Sequence, residues 1–219
     1  MRIISGEWRG RKLVAPKGYA TRPTADRTRE TLFNMLTSRL GSFEDLHAAD
    51  LFAGSGALGL EALSRGAAKC LFVENEREAL DAIRSNIATL DARARTQVEA
   101  TSVMQLRARS EPLDLILLDP PYNTGAGEVA LDRLLRLGWI GAATWIALET
   151  AANEEPYVAG LEIESSRKVA KGRLSLLRRN CSARVGQMRI QRALIRVVPA
   201  PALGVWGSGH GHHPKRSAA

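Results

Sequence analysis

Two stretches of this chain carry residue types whose spacing could do chemistry. The first is Asp50-Leu-Phe-Ala-Gly-Ser-Gly-Ala-Leu-Gly59, whose glycines Gly54, Gly56 and Gly59 match G-x-G-x-x-G. In such a loop the first glycine allows a tight turn, the second lets a ligand approach the backbone, and the third permits close helix–strand packing. Phe52, Ala53 and Ser55 complete the loop, and Glu74 lies twenty residues beyond Gly54, where a carboxylate can accept from both hydroxyls of a ribose. An adenosine-bearing ligand suits this set, which leaves NAD(P) and S-adenosylmethionine (SAM) open. Asp50 tilts the choice toward SAM, because a carboxylate beside the loop favours a sulfonium cation and repels a pyrophosphate.

The second stretch is Asp119-Pro-Pro-Tyr122, at the end of the apolar run Leu113–Leu118. Methylation of an exocyclic amine explains these residue types. The lone pair of such a nitrogen is delocalised into its ring, so the nitrogen is a poor nucleophile. A carboxylate and a backbone carbonyl that accept its two N–H hydrogens pull it toward tetrahedral geometry and free the lone pair. Asp119 supplies the carboxylate. Pro120 supplies the carbonyl, since the following Pro121 keeps its backbone extended. Tyr122 can stack on a base, a contact worth about 1–3 kcal/mol. The remaining gain is one of positioning the two reactants.

These residues need a scaffold, and the hydrophobic pattern predicts an α/β one. Arg2–Ser5 and Arg11–Val14, around Gly6–Gly10, read as a hairpin. Thr24 caps an expected helix to Arg39 with Leu32, Phe33, Met35 and Leu36 on its apolar face. Strands are expected at Leu46–Phe52, Cys70–Val73, Thr96–Val98, Leu113–Leu118 and Thr144–Leu148, with helices at Ala57–Arg65, Glu76–Leu90 and Glu128–Leu137 between them. This alternation implies a parallel sheet built from right-handed crossovers. Leu161–Lys168 and Arg173–Arg179 read as an antiparallel pair.

The chain has 219 residues, 45% hydrophobic and 25% charged, which suits one α/β domain with small additions. No run of about 18 apolar residues predicts a membrane span, and the start, MRIISGEWRGRKL, lacks the apolar region of a secretory signal. With only Cys70 and Cys181 present, a disulfide framework is not expected, and a cytoplasmic protein is. Charge is unevenly spread: residues 1–30 carry net +5, 31–164 net −9 and 165–219 net +12. An acidic body between basic ends suggests polyanion-binding extensions. Arg2, Arg9, Arg11, Lys12, Arg22, Arg27 and Arg29 suit phosphate contacts. The expected organisation is a basic extension at 1–40, a catalytic domain at 41–180 and a basic, poorly ordered tail at 181–219. His210, His212 and His213 in that tail have no Cys, Asp or Glu nearby to complete a ligand set, so no metal site is expected. Trp8, Trp139, Trp145 and Trp206 are too widely spaced to share a site and are read as packing residues.

Four segments together resemble the bacterial 16S ribosomal RNA (guanine-N2)-methyltransferase family, within the amino-methyltransferases that carry D/N-P-P-Y. They are Arg2–Leu13, Arg22–Leu36, Asp50–Leu63 and Asp119–Tyr122, and the likeness covers about residues 1–179. The tetrapeptide is shared by many methyltransferases; the two N-terminal segments are the more specific. The resemblance implies a Rossmann-like, seven-stranded SAM-dependent methyltransferase sheet with an N-terminal hairpin-and-helix extension. It also implies SAM as donor and N2 of one guanine in 16S rRNA as acceptor, in the small ribosomal subunit or its assembly intermediate. A paired guanine would be extruded to reach Asp119. The enzyme is expected to be a monomer, without membrane contact. The chain departs from the family at Val169-Ala-Lys-Gly-Arg-Leu, in place of an aromatic-glycine turn, and at Gln97–Thr101, which lacks the usual adenine-reading acid. Ala100 or Thr101 is left as the candidate contact there. The tail has no family counterpart and reads as an out-of-frame extension somewhat better than as an RNA-binding one. A DNA adenine-N6 methyltransferase would share the Asp119–Tyr122 chemistry but needs a target-recognition region this length hardly allows. A non-catalytic ribosome-assembly binder would have no use for Asp119-Pro-Pro-Tyr122, and a dehydrogenase is the weakest reading.

Overall fold

The computed structural model describes residues 1–16 and 23–180. Arg22 and the segment 181–219, with Cys181, Trp206, His210, His212 and His213, lie outside the described residues.

The apolar runs become the strands of one sheet. β1 (His47–Leu51), β2 (Lys69–Glu74), β3 (Thr96–Ala100), β4 (Leu113–Leu118) and β5 (Ile140–Ala151) pair in parallel, and β7 (Gly172–Arg179) runs against both β5 and β6 (Leu161–Val169). The spatial order is β3-β2-β1-β4-β5-β7-β6. The helices are α1 (Pro23–Leu40), α2 (Ala57–Ser64), α3 (Arg77–Thr89) and α4 (Ala126–Arg136).

Strand β4 shows why its sequence is almost continuously apolar. Leu115 and Leu117 share one face of the sheet with Phe33 and Leu36 of α1, Leu60 and Leu63 of α2, and Ile83 of α3. Ile116 and Leu118 point the other way, onto Leu131 and Leu134 of α4. A strand covered on both faces has no position for a polar side chain until it ends.

The expected elements appear with shifted ends. α1 begins at Pro23, so Thr24 falls inside the first turn instead of capping it; proline suits that position because its missing N–H has no helical partner there. β5 is longer than the expected Thr144–Leu148 and shifts register between Leu113 and Leu115 of its partner strand. The N-terminal hairpin pairs at one bridge, Arg2 to Lys12, with Ile3 N donating to Arg11 O, Gly10 N to Ile3 O and Leu13 N to Met1 O, and α2 holds the same chain from beside it. Glu61 of α2 is fully buried and accepts from Ile4 N at 2.8 Å, Ser5 N at 3.1 Å and Arg65 Nε at 2.8 Å. Trp8 is buried beside it, with its N–H donating to Ser64 Oγ at 3.0 Å, and Trp139 is buried on the opposite face. Among the described residues no helix is long and apolar enough to cross a membrane.

Candidate active site

Strands β1 and β4 are neighbours from which the chain departs in opposite directions, so the loops that follow them open side by side at the carboxyl edge of the sheet. The loop after β1 turns through three left-handed residues, Phe52 (φ 59°), Gly54 (φ 55°) and Gly56 (φ 77°). At Gly54 a Cβ would meet nothing within 4 Å, whereas at Gly56 it would stand 3.2 Å from Phe72 Cε1. Open backbone for a ligand therefore lies at the first glycine, not at the second as expected. Gly59 does serve packing: its Cβ would come within 2.5 Å of Phe72 Cε1 and 2.7 Å of Cys70 Sγ. Ala53 is buried and donates to Val73 O at 3.2 Å, and buried Ser55 sets its Oγ 3.7 Å from Met1 Sδ.

Glu74 ends β2 and is tied to the loop. One carboxylate oxygen accepts from Gly54 N at 2.8 Å; the other accepts from Asn75 N at 2.7 Å and Glu76 N at 2.9 Å. Asp50 requires a correction. Expected beside the loop as a charge favouring a cationic ligand, it is 1% exposed and accepts from Gly59 N at 2.8 Å, holding the first turn of α2. Burial, followed by the charges of Asp119 and Glu74, raises its pKa well above the usual range despite the Gly59 bond. Strand alternation causes this, since Asp50 shares the helix-covered face of Ala48. Thr101 follows Ala100, the register partner of Glu74, and donates to Gln105 Oε1 at 2.9 Å. It lines a depression of about 670 Å³ with Glu99, Arg107 and Trp139.

Asp119 follows β4 directly. Its residue surface is exposed at the cleft mouth while protein crowds the carboxyl from behind. None of the hydrogen bonds among the described residues ends on that carboxylate. Crowding first, and the charge of Glu149 second, raise its pKa to about 7. Solvent at the open side weakens the first cause, so the neighbouring charge is the firmer one. Pro120 is buried and Pro121 exposed, and Thr124 Oγ1 donates to Pro121 O at 2.7 Å to fix the turn. Tyr122 is 40% exposed and donates its hydroxyl to Glu149 Oε1 at 2.5 Å. Burial raises the Glu149 pKa and the Tyr122 bond opposes that rise.

Glu149 is the residue that the sequence reading missed. A signal was available: Ile146-Ala147-Leu148-Glu149 repeats the pattern of Ile116-Leu117-Leu118-Asp119, an apolar run followed by an acid. Leu118 and Leu148 are register partners, so Asp119, just past β4, stands beside Glu149 within β5.

A family model described as conserved hypothetical protein 95 matches residues 1–178. Ribosomal RNA small subunit methyltransferase D of Escherichia coli strain K12 is 36% identical over 192 residues, covering 88% of this chain and 90% of its own. The chain belongs to the small-subunit rRNA methyltransferase family. A solved structure from Escherichia coli described as a methyltransferase superposes on this family member with a TM-score of 0.72 at 35% identity, covering 82% of this chain and 98% of that one. Magnesium protoporphyrin IX methyltransferase from Synechocystis with bound SAM shares the fold alone, at 13% identity and a TM-score of 0.55 over 72% of this chain and 80% of its own.

The basic candidates of this family member divide. Arg2, Arg9, Arg11, Lys12 and Arg27 are exposed, and Arg11 also donates to Thr89 O at 2.8 Å. Arg29 is a correction: its side chain is 4% exposed, pairs with Asp26 at 3.0 Å and Glu61 at 3.9 Å, and donates to Arg2 O. A guanidinium enclosed by two carboxylates is a structural ion pair and is not open to a phosphate.

Proposed function

We propose that the chain transfers a methyl group from SAM to the exocyclic N2 amine of one guanine in 16S rRNA, in the cytoplasm and as a monomer, on the small subunit or its assembly intermediate. The observation that carries this reading is the Asp119 carboxylate, without a hydrogen-bond partner among the described residues, at the carboxyl edge beside the glycine loop. The name of the Escherichia coli relative supports the choice of small-subunit rRNA.

The residues present fit SAM. Gly54 leaves room for a ligand against the backbone, and a carboxylate has about four acceptor sites, of which Glu74 uses three, so it keeps a place for one ribose hydroxyl and not for both as expected. Phe52, Gly54, Glu74 and Thr101 would hold the cofactor, with Asp50, Ala53, Ser55, Gly56 and Gly59 shaping the loop beneath it. SAM, when bound, supplies an electrophilic methyl group on a sulfonium. Asp119 accepts one N–H of the guanine amine and the Pro120 carbonyl the other, so that the nitrogen lone pair is released from the ring, and the proton the methylated nitrogen sheds passes to the Asp119 carboxylate. Pro121 fixes that backbone, and the Tyr122 ring stacks on the base. Arg2, Arg9, Arg11, Lys12 and Arg27, in the 1–40 extension, contact rRNA phosphates, while 41–180 carries the chemistry.

Nucleoside mass spectrometry of 16S rRNA from cells with and without this gene tests the reading. One N2-methylguanosine is expected to disappear, and to return with the wild-type chain but not with Asp119→Ala. A fall in genomic N6-methyladenine instead would reassign the substrate, and no change in either would favour a binding role.

A further inference from the structure

Beside Asp119 stands a second carboxylate that the reaction as described does not use. Leu118 and Leu148 are paired in register, so Asp119, just past the end of β4, stands beside Glu149, still within β5, on neighbouring parallel strands that lie about 4.8 Å apart. Glu149 is held from one side: its Oε1 accepts the Tyr122 hydroxyl at 2.5 Å. No hydrogen bond among the described residues ends on its Oε2. Space for this arrangement comes from Gly172 of β7, where a Cβ would stand 2.9 Å from Glu149 Oε1 and 3.0 Å from Tyr122 Oη. The aromatic ring, its hydroxyl and the carboxylate are thus one rigid unit at the mouth of the cleft.

Guanine places a second donor, N1–H, next to its N2 amine. Adenine places an acceptor lone pair, at N1, next to its N6 amine. Once both are ionised, two carboxylates side by side present acceptors only, which matches the first edge and opposes the second. We infer that Glu149 determines base specificity: its free oxygen accepts the guanine N1–H while Asp119 accepts from N2. This rests on the guanine-N2 reading above. A site built to pair a buried donor rejects a base that lacks it, because its own polar group is then left without a partner. Tyr122 gains a second task, since its hydroxyl aims the carboxylate that reads the base its ring covers.

The test replaces the target guanine by 2-aminopurine, which keeps the N2 amine but has a lone pair at N1. Small subunits reconstituted with either base are methylated by wild type and by Glu149→Gln, and kcat/KM is compared. Wild type is expected to prefer guanine by about 10- to 100-fold. In Glu149→Gln that ratio is expected to collapse toward one, and comparing ratios cancels any intrinsic difference between the two amines. A wild-type ratio near one overturns the inference without recourse to any variant. So does a Glu149→Gln chain that loses both activities equally, since that is what a merely structural carboxylate would give. If wild type leaves the guanine itself unmethylated, the guanine-N2 reading fails and this inference falls with it.

Discussion

In the proposed reaction Asp119 accepts an N–H hydrogen, and its ionised form accepts more strongly than its acid, yet crowding and the Glu149 charge hold its pKa up at about 7. Below that pH the protonated acid is the weaker acceptor, so kcat/KM is expected to rise with pH through about 7 and then level. Removing the neighbouring charge by Glu149→Gln lowers the Asp119 pKa, and the midpoint should move to more acidic pH. A pH–rate profile of both chains checks this, and an unmoved midpoint would separate the two carboxylates electrostatically. At this scale Asp119 and Glu74 were legible, because each ends an apolar run beside turn residues. Asp50 was legible as a loop residue but not in its role, since which face of β1 it occupies depends on where α2 packs.

At the scale of elements, α2 carries more than its eight residues suggest. Its Gly59 lies against Phe72 and Cys70, both buried, so Gly59→Ala gains helix propensity but forces the contact at 2.5 Å to open. The expected net loss is about 1–3 kcal/mol, read by thermal or denaturant unfolding. Its Glu61 joins the N-terminal segment, Arg29 and Arg65 at one buried carboxylate. Glu61→Gln leaves Arg65 without its counter-charge and Arg29 with Asp26 alone, and is expected to cost about 3–5 kcal/mol in the same measurement. The helix pattern showed that Glu61 belongs to α2. Nothing local showed that a basic segment 57 residues earlier would fold over it.

Over the whole molecule, the proposed reading assigns binding to the basic N-terminal extension and chemistry to the acidic body. Exposed Arg9 and Arg27 are expected to add to the salt dependence of rRNA binding, each Ala substitution reducing the slope by about 1 with little change in stability. Arg29→Ala should do the reverse, lowering the unfolding temperature while the salt slope stays the same. Binding titrations at several salt concentrations, paired with unfolding curves, distinguish the two classes.

The sequence by itself determined the alternation of strands and helices, the glycine loop, Glu74 and Asp119-Pro-Pro-Tyr122, because each is written in adjacent residues whose periodicity and turn chemistry are local. Tertiary structure alone decided that Asp50 is buried, that Glu61 closes over Arg29, and that Glu149 stands beside Asp119. The physical reason is common to all three: each depends on which segment packs against which, and strand register joins positions thirty residues apart that no local pattern relates.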